Sequence, residues 1–204
     1  MAKSQNNGLR VFDRWDISGI TVEDAGLVNQ INLDPRMVPS TGGSMAGSRF
    51  HKGKVFIVER LMKKLMVPGH KAKKHFKSSG YCTGKVLTTY NLVRDAFEII
   101  EKKTKENPVK VLVKAIENGA PREEIITIEY GGARYPKAVE CAPQRRVDQA
   151  LKYIVQGTYQ KSFNSKKSAA DCLADELINA YNISNNSAII AKKLELERQA
   201  DSSR

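Results

Sequence analysis

Three side chains with chemistry beyond simple charge, His70, His75 and Cys82, share one short stretch. A zinc site needs four ligands at close spacing, and no second Cys pair accompanies them. A nucleophile would be Cys82 activated by His75, with nearby lysines lowering the thiol pKa. That arrangement needs an orienting carboxylate, and the nearest acids in sequence are Glu59 and Asp95. The stretch therefore reads as a solvated loop, with no metal and no catalytic residue. No Walker loop, dinucleotide fingerprint, Ser elbow or His-Glu helix pair is present, so no cofactor is expected. Asp171, Asp175 and Glu176 share a helix with Lys166 and Lys167 nearby, and read as an exposed charged face.

The cations carry a stronger signal. Residues 49 to 85 hold eleven Lys and Arg against one acid, Glu59, in a chain whose net charge is +12. Such a block repels itself unless a polyanion neutralises it. Nucleic acid does so by releasing condensed counterions as its phosphates meet Lys and Arg. Lys63, Lys64, Lys71, Lys73 and Lys74 are expected on phosphates, together with Lys52, Lys54, Lys77 and Lys85 of the same block. Apolar residues from Val55 to Val58 and at Leu61, Leu65 and Met66 let the block pack, which a merely solvated charge run would not do. Arg145-Arg146 opens a helix, where backbone amides favour anions and guanidiniums suit phosphate forks; an ordinary surface pair is the alternative. Arg134, Tyr135 and Lys137 pair cations with an aromatic able to stack on a base, unless Tyr135 packs on the helices instead.

The chain that must position these groups has 204 residues, 41 % of them apolar and 7 % aromatic, enough for one sizeable core. Its longest run of aliphatic and aromatic residues, Val55 to Val58, is too short to span a bilayer, so no membrane partner is expected. Met1 to Arg10 is polar, and no secretory signal is expected. Cys82, Cys141 and Cys172 are odd in number and widely spaced, as suits reduced thiols in a cytosolic setting.

The pattern predicts a mainly α fold: a bundle of about six helices, one projecting β-hairpin and an extended N-terminal arm. Residues 1–47 form the arm, broken by Pro35, Pro39 and Gly42-Gly43, with room for a short helix from Val22 to Ile31. Its low hydrophobicity suggests ordering on a partner. Residues 48–204 form the helical domain. Helices are expected over Lys54–Met66, then Lys85–Lys103, then from Asn107-Pro108 to Asn118, where Asn caps and Pro suits the first turn. His70 to Gly84 is a loop. Two alternating runs around Gly131-Gly132 predict a hairpin at about 125–141, with Pro136 on an edge. A fourth helix follows Pro143 to about Ser162, and a fifth spans Ser165 to Asn182. Asn185-Asn186-Ser187 can cap a sixth, which carries Ile189, Ile190 and Leu194, with Lys193 and Glu197 one turn apart. An isolated ribbon is marginal unless it packs, so a projecting one is expected to touch a partner.

The order Tyr130-Gly131-Gly132, Tyr135-Pro136 and Ala142-Pro143-Gln144-Arg145-Arg146-Val147-Asp148 resembles the ribosomal protein S-seven family of the small subunit. So do Cys172-Leu173-Ala174-Asp175-Glu176-Leu177-Ile178-Asn179-Ala180, Ala96 to Ile100 with Glu106-Asn107-Pro108, and Ala120-Pro121-Arg122-Glu123-Glu124. The resemblance covers about residues 54 to 204 and lies with the archaeal and eukaryotic cytosolic branch. Residues 1–47 match weakly, and the 70–84 loop is longer than the family's usual turn.

The resemblance implies a helical bundle with a projecting ribbon, and a primary rRNA binder that organises the subunit head during assembly. It implies that the ribbon residues Tyr130, Gly131, Gly132, Arg134, Tyr135 and Lys137 face the exit site for tRNA and mRNA. Arg122, Arg145 and Arg146 would join the lysines near rRNA. Neighbouring head and platform proteins would be partners, and the setting would be the cytoplasmic small subunit. The expected function is a non-enzymatic constituent of that subunit acting in translation. The rival from the nucleic-acid class is a free-standing regulator that binds a short duplex; the rival enzyme would use Cys82 and His75.

Overall fold

The computed structural model describes residues 9–34, 47–67 and 85–204. His70, Lys71, Lys73, Lys74, His75, Lys77 and Cys82 lie outside the described residues, as do Pro35, Pro39 and Gly42-Gly43. A short 3-10 turn at His51–Lys54 leads into α1 (Ile57–Leu65), α2 (Val86–Thr104) and α3 (Pro108–Gly119). The antiparallel pair β1 (Glu123–Tyr130) and β2 (Ala133–Glu140) follows, and then α4 (Pro143–Ser162), α5 (Ala169–Tyr181) and α6 (Ala188–Asp201). The fold is mainly helical with one hairpin, as the pattern predicts.

Local chemistry sets most boundaries. Asn107 Oδ1 accepts from the Val109 amide at 3.0 Å, and Pro108 takes the first position of α3. Ser168 caps α5 by accepting from the Asp171 amide at 3.1 Å. Gly131 and Gly132 have φ of 57° and 82°, the left-handed values that a two-residue hairpin turn requires. Pro136 faces Thr127 in a ribbon where both strands are edges.

The core is one apolar cluster in which α5 packs on α2, α3 and α4. Phe97, Ile100, Leu112, Ile116, Leu151, Ile154, Leu173 and Leu177 are fully buried within it. α6 lies along the edge, across α4 and the base of the hairpin. It buries Ile189 and Ile190, while Leu194 is 53 % exposed, because an edge helix buries only part of its apolar stripe. Val86, at the first position of α2, is 44 % exposed.

Two further expectations need correction. Residues 9–34 do not wait for a partner to pack. Val11, Trp15, Ile17, Leu27 and Ile31 are buried in the same core as the helices. Trp15 lies edge-on to Phe97 at 5.7 Å between ring centroids, and Phe12 meets Tyr90 at 4.8 Å. The few apolar residues of this segment are large and fall where they can all reach the bundle, which mean composition conceals. The helix expected from Val22 to Ile31 is instead a set of turns. Asp24 Oδ1 accepts from the Gly26 amide at 2.8 Å, a local bond that competes with helical pairing.

The second correction concerns Glu176, which is not part of an exposed face. It is fully buried. Its carboxylate accepts from Lys161 Nζ at 2.6 Å, Ser187 Oγ at 2.8 Å and the Ile189 amide at 3.2 Å. Ser187 is the N-cap residue of α6, yet its own side chain does not cap; the free amide is taken by Glu176 of α5. Asp171 and Asp175 do lie at the surface, the first against Ser168 and the second against Lys103 and Lys167.

Candidate nucleic-acid interface

The first turns of α4 present Gln144, Arg145, Asp148, Gln149 and Lys152 at helical spacing on one side. Opposite them stand Phe50 and Lys52 from the 3-10 segment and Lys64 from α1, and together they line an open groove of about 430 Å³. Four cations thus converge: Lys52, Lys64, Arg145 and Lys152. Asp148 is the one acid lining this groove among the described residues. Phe50 is 57 % exposed, with the Arg49 guanidinium 5.0 Å from its ring centre. It offers a flat apolar face on which a base can stack.

Charge inside the groove is ordered by Asp148. Its Oδ2 accepts from Lys52 Nζ at 2.8 Å and its Oδ1 from Arg60 at 3.1 Å. Arg60 is buried and donates a second bond to the Gln30 carbonyl at 2.7 Å. Burial works against the ionised Asp148, but Lys52 and Arg60 together hold it below the usual carboxylate range. Desolvation pulls the Lys64 ammonium down from its ordinary pKa; Asp148 opposes this, while Lys52 and Lys152 add to it.

The two neighbouring arginines have different fates. Arg145 is half exposed and grips Glu124 of β1 through two bonds, at 2.5 and 2.7 Å, so the groove rim is tied to the ribbon base. Arg146 points inward and is buried. It donates to the Pro121 carbonyl at 3.2 Å and to Asp24 Oδ2 at 2.7 Å. Of the two alternatives open for this pair, neither fits Arg146: it is neither an open phosphate fork nor a surface residue in this structure.

The remaining candidates are dispersed. Lys63 pairs with Glu59 one turn away at 2.7 Å. Lys85 is the N-cap residue of α2, and Lys54 closes the 3-10 turn, its carbonyl accepting from Asn32 at 2.8 Å. Arg122 sits at the ribbon base, where its amide meets Glu197 of α6 at 3.1 Å. None of these lines the groove. Lys152 and Phe50 were missed by the sequence reading. Lys152 follows Arg145 by seven residues and Asp148 by four, so helical spacing could have found it.

The ribbon stands clear of the helices beyond its base. Tyr130 is 82 % and Tyr135 58 % exposed, so Tyr135 does not pack on the helices. Cross-strand pairs place Ile126 with Lys137, Ile128 with Tyr135 and Tyr130 with Ala133 on one face. Arg134 lies on the other, paired with Glu129 at 3.6 Å. The set of Arg134, Tyr135 and Lys137 is therefore split between faces, because period-2 alternation separates adjacent residues. α6 packs along the base, and Arg204, just beyond the end of α6, sets one guanidinium nitrogen 2.6 Å from each Glu123 carboxylate oxygen.

Residues 29–204 match the family model described as Ribosomal protein S7p/S5e. The chain belongs to the ribosomal protein S7p/S5e family. Relatives extend the likeness to nearly the whole chain. The small ribosomal subunit protein uS7 of Nanoarchaeum equitans is 53 % identical over 96 % of this chain and 99 % of its own length. Those of Archaeoglobus fulgidus and Methanosphaera stadtmanae are 48 % and 49 % identical, over 96 % and 95 % of this chain and 95 % and 97 % of theirs. The S7p/S5e likeness thus runs through most of the N-terminal segment that, by motif alone, matched weakly. The packing of residues 9–34 into the core gives that likeness a physical basis.

No helix among the described residues is long and apolar enough to cross a membrane. Cys141 and Cys172 are buried, and burial, with Glu124 next, raises the Cys141 thiol to about 11, far from a nucleophile's range.

Proposed function

We propose that the chain is a structural, non-enzymatic constituent of the small ribosomal subunit that anchors on folded rRNA and helps organise the subunit head. One observation carries this reading: Lys52, Lys64, Arg145 and Lys152 converge with exposed Phe50 in a single open groove beside the ribbon base. Lysines there act as point charges on phosphates, and Arg145 can exchange Glu124 for a phosphate fork. The groove is shallow and open, which suits recognition by backbone shape more than by base edges. The relatives' shared description as small ribosomal subunit proteins supports the same reading.

The ribbon projects its tyrosines and Lys137 away from the bundle, and is assigned to the tRNA and mRNA exit site. Neighbouring head and platform proteins and a cytoplasmic setting complete the reading. Sedimentation of tagged protein from a lysate tests it. Co-migration with small subunits is the expected result. A protein that stays at the top of the gradient and binds a short duplex as tightly as a multi-helix rRNA junction would instead be a free regulator.

A further inference from the structure

A carboxylate in a polyanion-binding groove should repel its ligand. Asp148 is such a carboxylate, one-third exposed and set among four cations. We propose that Asp148 is a positioning residue for nucleic-acid binding: it holds the groove's lysines where phosphates will meet them and so strengthens capture. The inference rests on the nucleic-acid reading above.

The geometry explains how an acid can help. One oxygen is occupied by Arg60, a guanidinium that is 6 % exposed and locked to the Gln30 carbonyl. The charges of Asp148 and Arg60 largely cancel, so the carboxylate presents little net field to a ligand. The other oxygen holds Lys52 at 2.8 Å. An ammonium has three protons, so Lys52 keeps two for a phosphate while its flexible stem is fixed by the third. A free lysine loses rotamer freedom when it binds; one already held loses less. Asp148 also offsets the repulsion that Lys52 and Lys152 exert on Lys64.

The test measures binding of the full-length protein to a transcribed multi-helix junction of small-subunit rRNA across a salt series. Asp148→Asn keeps the shape and removes the charge. The expected result is binding weaker by about five- to ten-fold, with a log-affinity against log-salt slope shallower by about one. The same change in a Lys52→Gln background should have little further effect. Tighter binding or a steeper slope in Asp148→Asn would show simple repulsion and overturn the proposal. A lowered Tm with unchanged slope, or an equal loss in both backgrounds, would show a role in folding only and also overturn it.

If Asp148→Asn does not fold, Lys52→Gln decides, because it leaves the Asp148–Arg60 pair intact. A slope reduced by about one supports the proposal, and an unchanged slope sinks it. Wild-type protein that binds the junction without salt dependence would remove the nucleic-acid reading itself, a result distinct from either variant's behaviour.

Discussion

Arg146 reaches from the first turns of α4 to Asp24 in the N-terminal segment, 2.7 Å from guanidinium to carboxylate across 122 residues of sequence. The same guanidinium holds the Pro121 carbonyl just before the hairpin. One side chain therefore ties three parts of the chain: the N-terminal segment, the ribbon base and α4. Its neighbour Arg145 faces the groove. The adjacent pair thus points one guanidinium into the fold and the other to the surface.

The fold role gives a prediction for stability. Arg146→Ala should cost about 2–3 kcal/mol, since hydrogen bonds to charged groups are stronger than neutral ones and Asp24 would lose its partner. Asp24→Asn should cost less, and adding it to Arg146→Ala should change little. Denaturant midpoints for the single and double variants check this; full additivity would mean the two residues are not coupled.

Asp24 also predicts a pH dependence. The Arg146 hydrogen bond, against a smaller burial effect, holds its folded pKa below the ordinary value. A depressed carboxylate contributes stability that is fully present above the unfolded pKa, about 3.9. That contribution is lost as pH falls through the lower folded value. The difference in unfolding free energy between wild type and Asp24→Asn should thus be constant at neutral pH and shrink below about pH 4. A gap that persists unchanged to low pH would show that the Asp24 charge contributes nothing.

Much of this was legible because it is local. Asn107-Pro108, Gly131-Gly132 and the apolar stripes of α3 and α4 act within a few residues, and they set boundaries that the structure reproduces. What was not legible depends on residues distant in sequence. Nothing near Glu176 announces that it will cap another helix, and nothing near Asp24 announces Arg146. The groove was half visible. The basic block supplied Lys52 and Lys64, but Lys152 gains meaning only when α4 is laid beside α1.

Glu176 carries the second stability prediction. Removing its carboxylate leaves the Ile189 amide and Ser187 hydroxyl unpaired in a buried site. Each such group costs about 1–3 kcal/mol, so Glu176→Ala should destabilise by about 3 kcal/mol or more. Glu176→Gln, which retains an acceptor oxygen, should lose roughly half as much. Hydrogen exchange should quicken at Ile189 before it quickens in α3. Unchanged protection at the start of α6 would show that the cap is dispensable.

Gly157 tests close packing. Inside a helix, Gly→Ala ordinarily stabilises by up to about 1 kcal/mol. Here a Cβ would stand 2.7 Å from the Ala188 Cβ, where α4 crosses α6. Overpacking should reverse the sign, so Gly157→Ala should destabilise by about 1–3 kcal/mol. Ala188→Gly should recover part of that loss in the double variant. A stabilised single variant would mean that α6 moves aside freely.

The ribbon gives a test of the proposed split between subunit assembly and exit-site behaviour. Its outer half makes no buried contact: residues 126 to 137 are exposed on both faces, while the base is held by Arg145–Glu124 and Arg204–Glu123. Deleting Gly131 to Tyr135 and closing the chain should leave the helical core folded, because every buried residue lies outside the deletion. Subunit assembly should survive in large part, since the groove cations remain. What should change is exit-site tRNA retention or reading-frame maintenance, measured on purified subunits carrying the deletion. Failed head assembly, with normal exit-site behaviour in any subunits that form, would make the ribbon an rRNA anchor and reverse its assignment.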